Sequence, residues 1–220
     1  MRAAKGAIQK VIIKKKDYSV DYSTIGNAPP RGICGSGYID LIAELLSCGI
    51  LDKNGKIKDI KSKRIRKNET CAEFVVAFKE ETGAGFDIVV TEADIENIKR
   101  AKGAIYSAAS CLLKHMGLSF NDLNKIFIAG GFGTSIETKN AIRIGLLPDM
   151  PESKFVFLGN SSLAGSRIAL LSYQAMKKTE DIARKMTCFE LSVDPGYMDE
   201  YMAALFFPHT DVQRFPNVKI

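Results

Sequence analysis

Lys125-Ile-Phe-Ile-Ala-Gly-Gly-Phe-Gly133 is a short apolar run that ends in three glycines among four residues. Ile126, Phe127 and Ile128 suit a strand buried on both faces. Gly130, Gly131 and Gly133 permit positive φ and close backbone approach, so the turn could lie against the flat base or ribose of a nucleotide. The same glycines would equally serve a tight strand-to-helix turn that holds no ligand.

Two further glycine turns share this grammar. Arg31-Gly-Ile-Cys-Gly-Ser-Gly37 precedes Tyr38, Ile39, Leu41, Ile42, Leu45 and Leu46 at helical spacing, with Gly49 as a natural stop. Gly35, Ser36 and Gly37 would sit at a helix N-terminus, where free N–H groups and the positive dipole end suit an anion. The G-K-[ST] ending of a Walker loop is missing, so tight packing competes with phosphate binding. Phe155-Val-Phe-Leu158 reads as a strand, Gly159-Asn160 as a turn, and Ser161 to Met176 as a helix. Two adjacent parallel strands with glycine turns at their carboxyl ends form the crevice where open α/β sheets bind ligands.

The elements that must position these turns follow from periodicity. Ala7 to Val20 reads as strand, turn and strand, with Lys14-Lys15-Lys16 in the turn. Residues 52–82 form a charged excursion with Asn54-Gly55 as a turn signal and a hairpin expected around Phe74 to Lys79. Thr91-Glu-Ala-Asp94 resembles a capping box, and Ile95, Ile98, Ala101, Ile105, Ala108, Leu112 and Met116 follow as the stripe of a long, largely buried helix. His115 falls near that helix's C-terminus, where the dipole explains it. A helix is expected within Ile136 to Ile144, a short strand near Phe189 to Val193 and a helix from Met198 to Phe206. Phe206 and Phe207 read as core.

The 220 residues are enough for a real core, and the 46% apolar and 25% charged composition is that of a globular chain. No apolar run reaches the ~18 residues of a membrane span, and Met1-Arg-Ala-Ala-Lys lacks a following apolar segment, so a cytoplasmic location is expected. Cys34, Cys48, Cys71, Cys111 and Cys188 stand singly, which argues against a structural zinc site or a cluster loop. The histidines, His115 and His209, lie too far apart in sequence to suggest a metal pair or a triad. The net charge of +6 draws on Lys14–Lys16 and on the run Lys56 to Lys67. No aromatic residues interleave with that run, so nucleic-acid binding is not expected; a solvated loop or electrostatic docking of an acidic protein remains.

Ile33-Cys-Gly-Ser-Gly-Tyr-Ile-Asp40, Phe127-Ile-Ala-Gly-Gly-Phe-Gly133, Ile144-Gly-Leu-Leu-Pro148 and Leu158-Gly-Asn160, in this order, resemble the C-terminal part of the reductive activators of corrinoid proteins. Met1-Arg-Ala-Ala-Lys-Gly-Ala-Ile8 and Leu205-Phe-Phe-Pro208 fit the same family, so the resemblance covers nearly the whole chain. It implies an α/β fold, an actin-like ATPase (ribonuclease H-like) lobe with a mixed sheet flanked by helices, occupying residues 1–220. It implies ATP-driven one-electron reduction of cob(II)alamin to cob(I)alamin, with ATP and Mg²⁺ as cofactors, a corrinoid protein as partner and a homodimer as the assembly. By resemblance, Gly130, Gly131, Phe132 and Gly133 match the adenosine-side motif. Gly159 and Asn160 line the same cleft, and Gly35, Ser36 and Gly37 match a motif of less definite role. The Asp-x-Gly-Thr-like phosphate loops are absent, since Asp194-Pro195-Gly196 lacks the Thr, and so are the iron–sulfur cysteines. About the C-terminal half of an activator is therefore expected, inactive alone, with any iron–sulfur cluster in a segment outside this chain. A docking and dimerisation module for the corrinoid protein, or an activator of a radical dehydratase, are the alternative readings.

Overall fold

A computed structural model describes residues 1–67, 71–130 and 135–219. Strand β1 (Ala7–Ile13) is central to a small mixed sheet, antiparallel to β2 (Val20–Thr24) and parallel to β3 (Gly32–Ile33). Helix α1 (Gly35–Ser47) lies on it and buries Ile39, Leu41, Ile42, Leu45 and Leu46 against Ile8, Val11 and Ile13. Each such side chain contributes ~1.5–3 kcal/mol on burial. The helix stops as expected: Gly49 takes φ 72°, its N–H reaches the carbonyl of Leu46, and the N–H of Ile50 reaches that of Leu45.

The charged excursion is more ordered than its composition implied. The Asp52 carboxylate accepts from the N–H groups of Asn54 and Lys56, fixing the Asn54-Gly55 turn. Strands β4 (Ile65–Lys67), β5 (Ala72–Ala77) and β6 (Ile88–Thr91) then form an antiparallel sheet. The hairpin expected around Phe74 to Lys79 is corrected, because Phe74 to Ala77 lie inside β5, with Phe74, Val75 and Val76 all fully buried. The four-residue β6 was not anticipated; so short a run carries little periodic signal.

Helix α2 (Glu92–His115) starts on the capping box, Thr91 and Asp94 each satisfying the other's backbone N–H. Its expected burial is only half correct. Ile95 is buried, whereas Ile105, Leu112 and Met116 are exposed, and the buried face runs through Lys102, Gly103, Tyr106, Ser107 and Cys111. The cause is the docking of α6 (Tyr197–Ala204): Gly103 lets it approach, since a Cβ there would stand 3.3 Å from a Leu205 methyl. Lys102 accompanies it inward, its ammonium donating to the carbonyls of Phe206 and, at 2.7 Å, Pro208. Burial, with Lys99 nearby, pushes the Lys102 pKa down to about 7.

Strands β7 (Ile126–Ala129) and β8 (Phe155–Gly159) pair in parallel, with α3 (Thr138–Arg143) between them in sequence. Burial of β7 on both faces is not found, since Phe127 is 61% exposed. The single helix expected over 161–176 is two, α4 (Ser161–Leu171) and α5 (Tyr173–Lys185). They are broken at Ser172, whose extended backbone and hydroxyl cap α5. The strand expected near Phe189 to Val193 is instead a 3₁₀ turn at Leu191–Val193. Phe207 is fully buried, as expected of core.

Candidate functional site

Parallel pairing, with a one-residue register shift between Ile128 and Ala129, sets Ala129 opposite Gly159 and so brings two glycine turns side by side at the strands' carboxyl ends. The N–H of Gly130 donates to the carbonyl of Gly159 at 2.6 Å. Both residues are left-handed, with φ 101° at Gly130 and 65° at Gly159, which L side chains rarely adopt. A Cβ built on Gly130 would meet no described residue within 4 Å, so among the described residues the space above this glycine is open. Asn160 follows directly and caps α4, its side chain accepting from the N–H of Leu163 at 3.0 Å. The positive end of α4 therefore lies at the same edge as the glycine pair. Gly131, Phe132 and Gly133 lie outside the described residues.

Gly35, Ser36 and Gly37 form the first turn of α1 on a different sheet, and share no hydrogen bond with Gly130, Gly159 or Asn160 among the described residues. Their surroundings are filled. A Cβ on Gly37 would lie 2.3 Å from the carbonyl oxygen of Ile8, Ser36 is buried, and its hydroxyl lies 3.3 Å from the Cys34 sulfur. The glycine at position 37 thus admits the β1 backbone.

Other polar groups came together without a signal that sequence reasoning could use. Asp40 is buried on α1 and accepts from the Asn140 amide of α3 at 2.8 Å. Burial raises its pKa, and the Asn140 bond opposes the rise. An acid inside an apolar helical stripe was visible; its partner, far off in sequence, was not. Glu200 on α6 is held down to about 2 by His209 and by Arg214. Arg214 supplies the direct bonds, while His209 Nε2 stands 3.8 Å away, beyond hydrogen-bond range.

Among the described residues no group of three or more His, Cys, Asp or Glu side chains could hold a metal ion. They therefore offer no set that fits an iron–sulfur cluster or a metal ion held by protein side chains alone. No helix among them is long and apolar enough to cross a membrane.

The family described as the C-terminal domain of RACo, the ASKHA domain, matches residues 1–219. The chain belongs to this family. The actin-like ATPase fold follows, as expected from the sequence. The corrinoid activation enzyme RamQ of Eubacterium limosum is 35% identical over 215 residues, covering 94% of this chain and 36% of that protein. A [Co(II) methylated amine-specific corrinoid protein] reductase of Methanosarcina barkeri is 30% identical over 160 residues, 73% of this chain and 26% of its own length. A solved reductive activator for corrinoid, iron–sulfur protein superposes with a TM-score of 0.93 at 49% identity, covering 99% of this chain and 35% of that one. The chain thus spans about a third of these relatives, a smaller share than the half expected.

Proposed function

We propose that this chain forms the nucleotide-binding lobe of a reductive activator that couples ATP hydrolysis to one-electron reduction of cob(II)alamin to cob(I)alamin in a corrinoid protein. Family membership and the names of the similar proteins support the corrinoid half of this reading over a radical-dehydratase system. One observation carries the nucleotide half: the bonded pair Gly130 and Gly159, open above Gly130 among the described residues and flanked by the N-terminus of α4. In this reading the backbone of Gly130, Gly131, Phe132 and Gly133 lies along the adenosine, Gly159 completes the floor, and Asn160 holds the α4 end in place. Gly35, Ser36 and Gly37 act at one remove by seating α1. ATP, when bound, supplies the free energy for the reduction. Mg²⁺ would arrive on its phosphates, and no hydrolytic or electron-transfer step is assigned to the described residues. A homodimer in the cytoplasm completes the reading.

Calorimetric titration with Mg-ATP and with adenosine, beside Gly130→Val, tests it. A valine at φ 101° is strained by ~1–2 kcal/mol and projects into the open space, so both ligands should bind the unmodified protein and fail to bind the variant. Unchanged binding in the variant would remove this turn from the site. Binding of neither ligand would favour the docking-module reading, which the basic surface described next supports.

A further inference from the structure

Two basic runs distant in sequence meet on one face. The Lys14–Ser19 turn of the β1–β2 hairpin and the 61–64 segment border a single depression of ≈ 360 Å³, lined chiefly by Lys16, Tyr18, Lys61, Lys63, Arg64 and Phe78. Both borders are fixed. In the hairpin the N–H of Lys14 reaches the carbonyl of Ser19 at 2.9 Å and the N–H of Tyr18 reaches that of Lys14 at 2.8 Å, with Tyr18 at φ 58°. In the facing segment the Arg64 guanidinium donates to the carbonyls of Val75 and Val76, at 2.9 and 3.1 Å, and lies over the Phe78 ring at 4.8 Å. Arg64 is thus used to tie the segment to β5.

The lysines are left over. Lys14 pairs with Asp21 at 2.9 Å, and Asp17, the one carboxylate lining the depression, accepts from the N–H and hydroxyl of Ser19. Lys15, Lys16, Lys61 and Lys63 are exposed, and none has an ion-pair partner among the described residues. Four unpaired ammonium groups on two braced supports present a positive field at low ordering cost. Base stacking is not available here: Phe78 lies under Arg64 and Tyr18 packs on the core, so no aromatic face is free for a single strand.

We propose that this face is the docking surface for a carboxylate-rich patch on the corrinoid protein, a proposal that rests on the corrinoid reading above. Steering by such a face acts mainly on association and is screened by salt. The test is stopped-flow association of the protein with its corrinoid protein at about 50 and about 300 mM salt. The variants are Lys16→Glu/Lys61→Glu/Lys63→Glu and, as a control of equal charge change per site on α5, Lys177→Glu/Lys178→Glu. The first should associate ~10-fold or more slowly at low salt and lose its salt dependence, the second should not, and both should keep the unmodified melting temperature. Equal rates and salt slopes for the triple variant and the unmodified protein would overturn the proposal. If the unmodified protein fails to bind the corrinoid protein at all, the corrinoid reading itself fails, and the docking proposal with it. Loss of binding to phosphatidylserine vesicles or to single-stranded DNA in the triple variant, with corrinoid-protein binding intact, would overturn it in favour of those partners.

Discussion

The chain uses the same local sequence, an apolar run leading through glycines into a helix, for two opposite purposes. At the start of α1 the glycine is filled in: Gly37 admits the Ile8 carbonyl where a Cβ would stand at 2.3 Å, and the helix behind it is the centre of the main core. At the ends of β7 and β8 the glycine is left open, with no described residue within 4 Å of a Cβ on Gly130, and α4 and α5, which follow β8, carry no buried residue. Composition does not separate the cases. What separates them is whether another backbone crosses the glycine, and that is decided by long-range pairing: β1 runs past the start of α1, whereas Gly130 at the end of β7 bonds to Gly159 at the end of β8 and is crossed by no other described strand.

The sharpest way to break this contrast is Gly37→Val. A valine there must displace the β1 backbone, because the obstructing atom is a carbonyl oxygen that no rotamer change can move. Overpacking of this kind costs ~1–3 kcal/mol and occasionally more. The expected result is a fall in melting temperature larger than that of Gly130→Val, because the β1 backbone itself must be displaced. A Gly37→Val protein as stable as the unmodified one would mean that the first turn of α1 can be pushed off β1, and the contrast would collapse.

How much of this was legible in sequence follows the same division. Local signals were read correctly: the Thr91 capping box, the Gly49 helix stop and the Asn54-Gly55 turn depend on residues within a few positions, and each is formed. The face of α2 was misread because Ile105, Leu112 and Met116 make a good stripe, while burial is dictated by α6, docking from about a hundred residues away through Gly103. Lys102, which that stripe leaves out, is among the most buried side chains because Phe206 and Pro208 offer it carbonyls. At the candidate site, Gly130 and Gly159 were named from their turns, and parallel pairing of β7 with β8 brought them together. The Asp40–Asn140 bond depends on the docking of α3 on α1, which neither sequence segment encodes alone.

A second, smaller effect probes the packed half through charge. Glu200 titrates at about 2 in the folded chain, held there by His209 and Arg214, against 4.5 as its ordinary value. Because the folded pKa lies below the unfolded one, the contribution is fully present above about pH 4.5 and is lost as pH falls from there towards 2. Melting temperature should therefore drop across that window, and Glu200→Gln should flatten the drop while lowering stability at neutral pH, where Arg214 is left with Asp211 as its carboxylate partner. The pair is partly solvated, so the slope should be modest. An unchanged acid profile in the variant would assign the acid sensitivity to another carboxylate, with buried Asp40 excluded by the opposite direction of its shift.

The smallest expected effect belongs to the open half. Leu170 on α4 is 86% exposed and Leu171 75%, so Leu170→Ser removes no packed contact in this arrangement and should change stability by less than ~0.5 kcal/mol. Thermal melts of the variant, followed at several protein concentrations, are the check. Near-identity would show that α4 is free in solution, as open as the turn that precedes it. A marked loss that grows with dilution would show that a second copy covers α4, and that the openness at Gly130 and along α4 belongs to the isolated chain alone; the contrast with α1 would then be one of partner, filled in one case by β1 and in the other by another molecule.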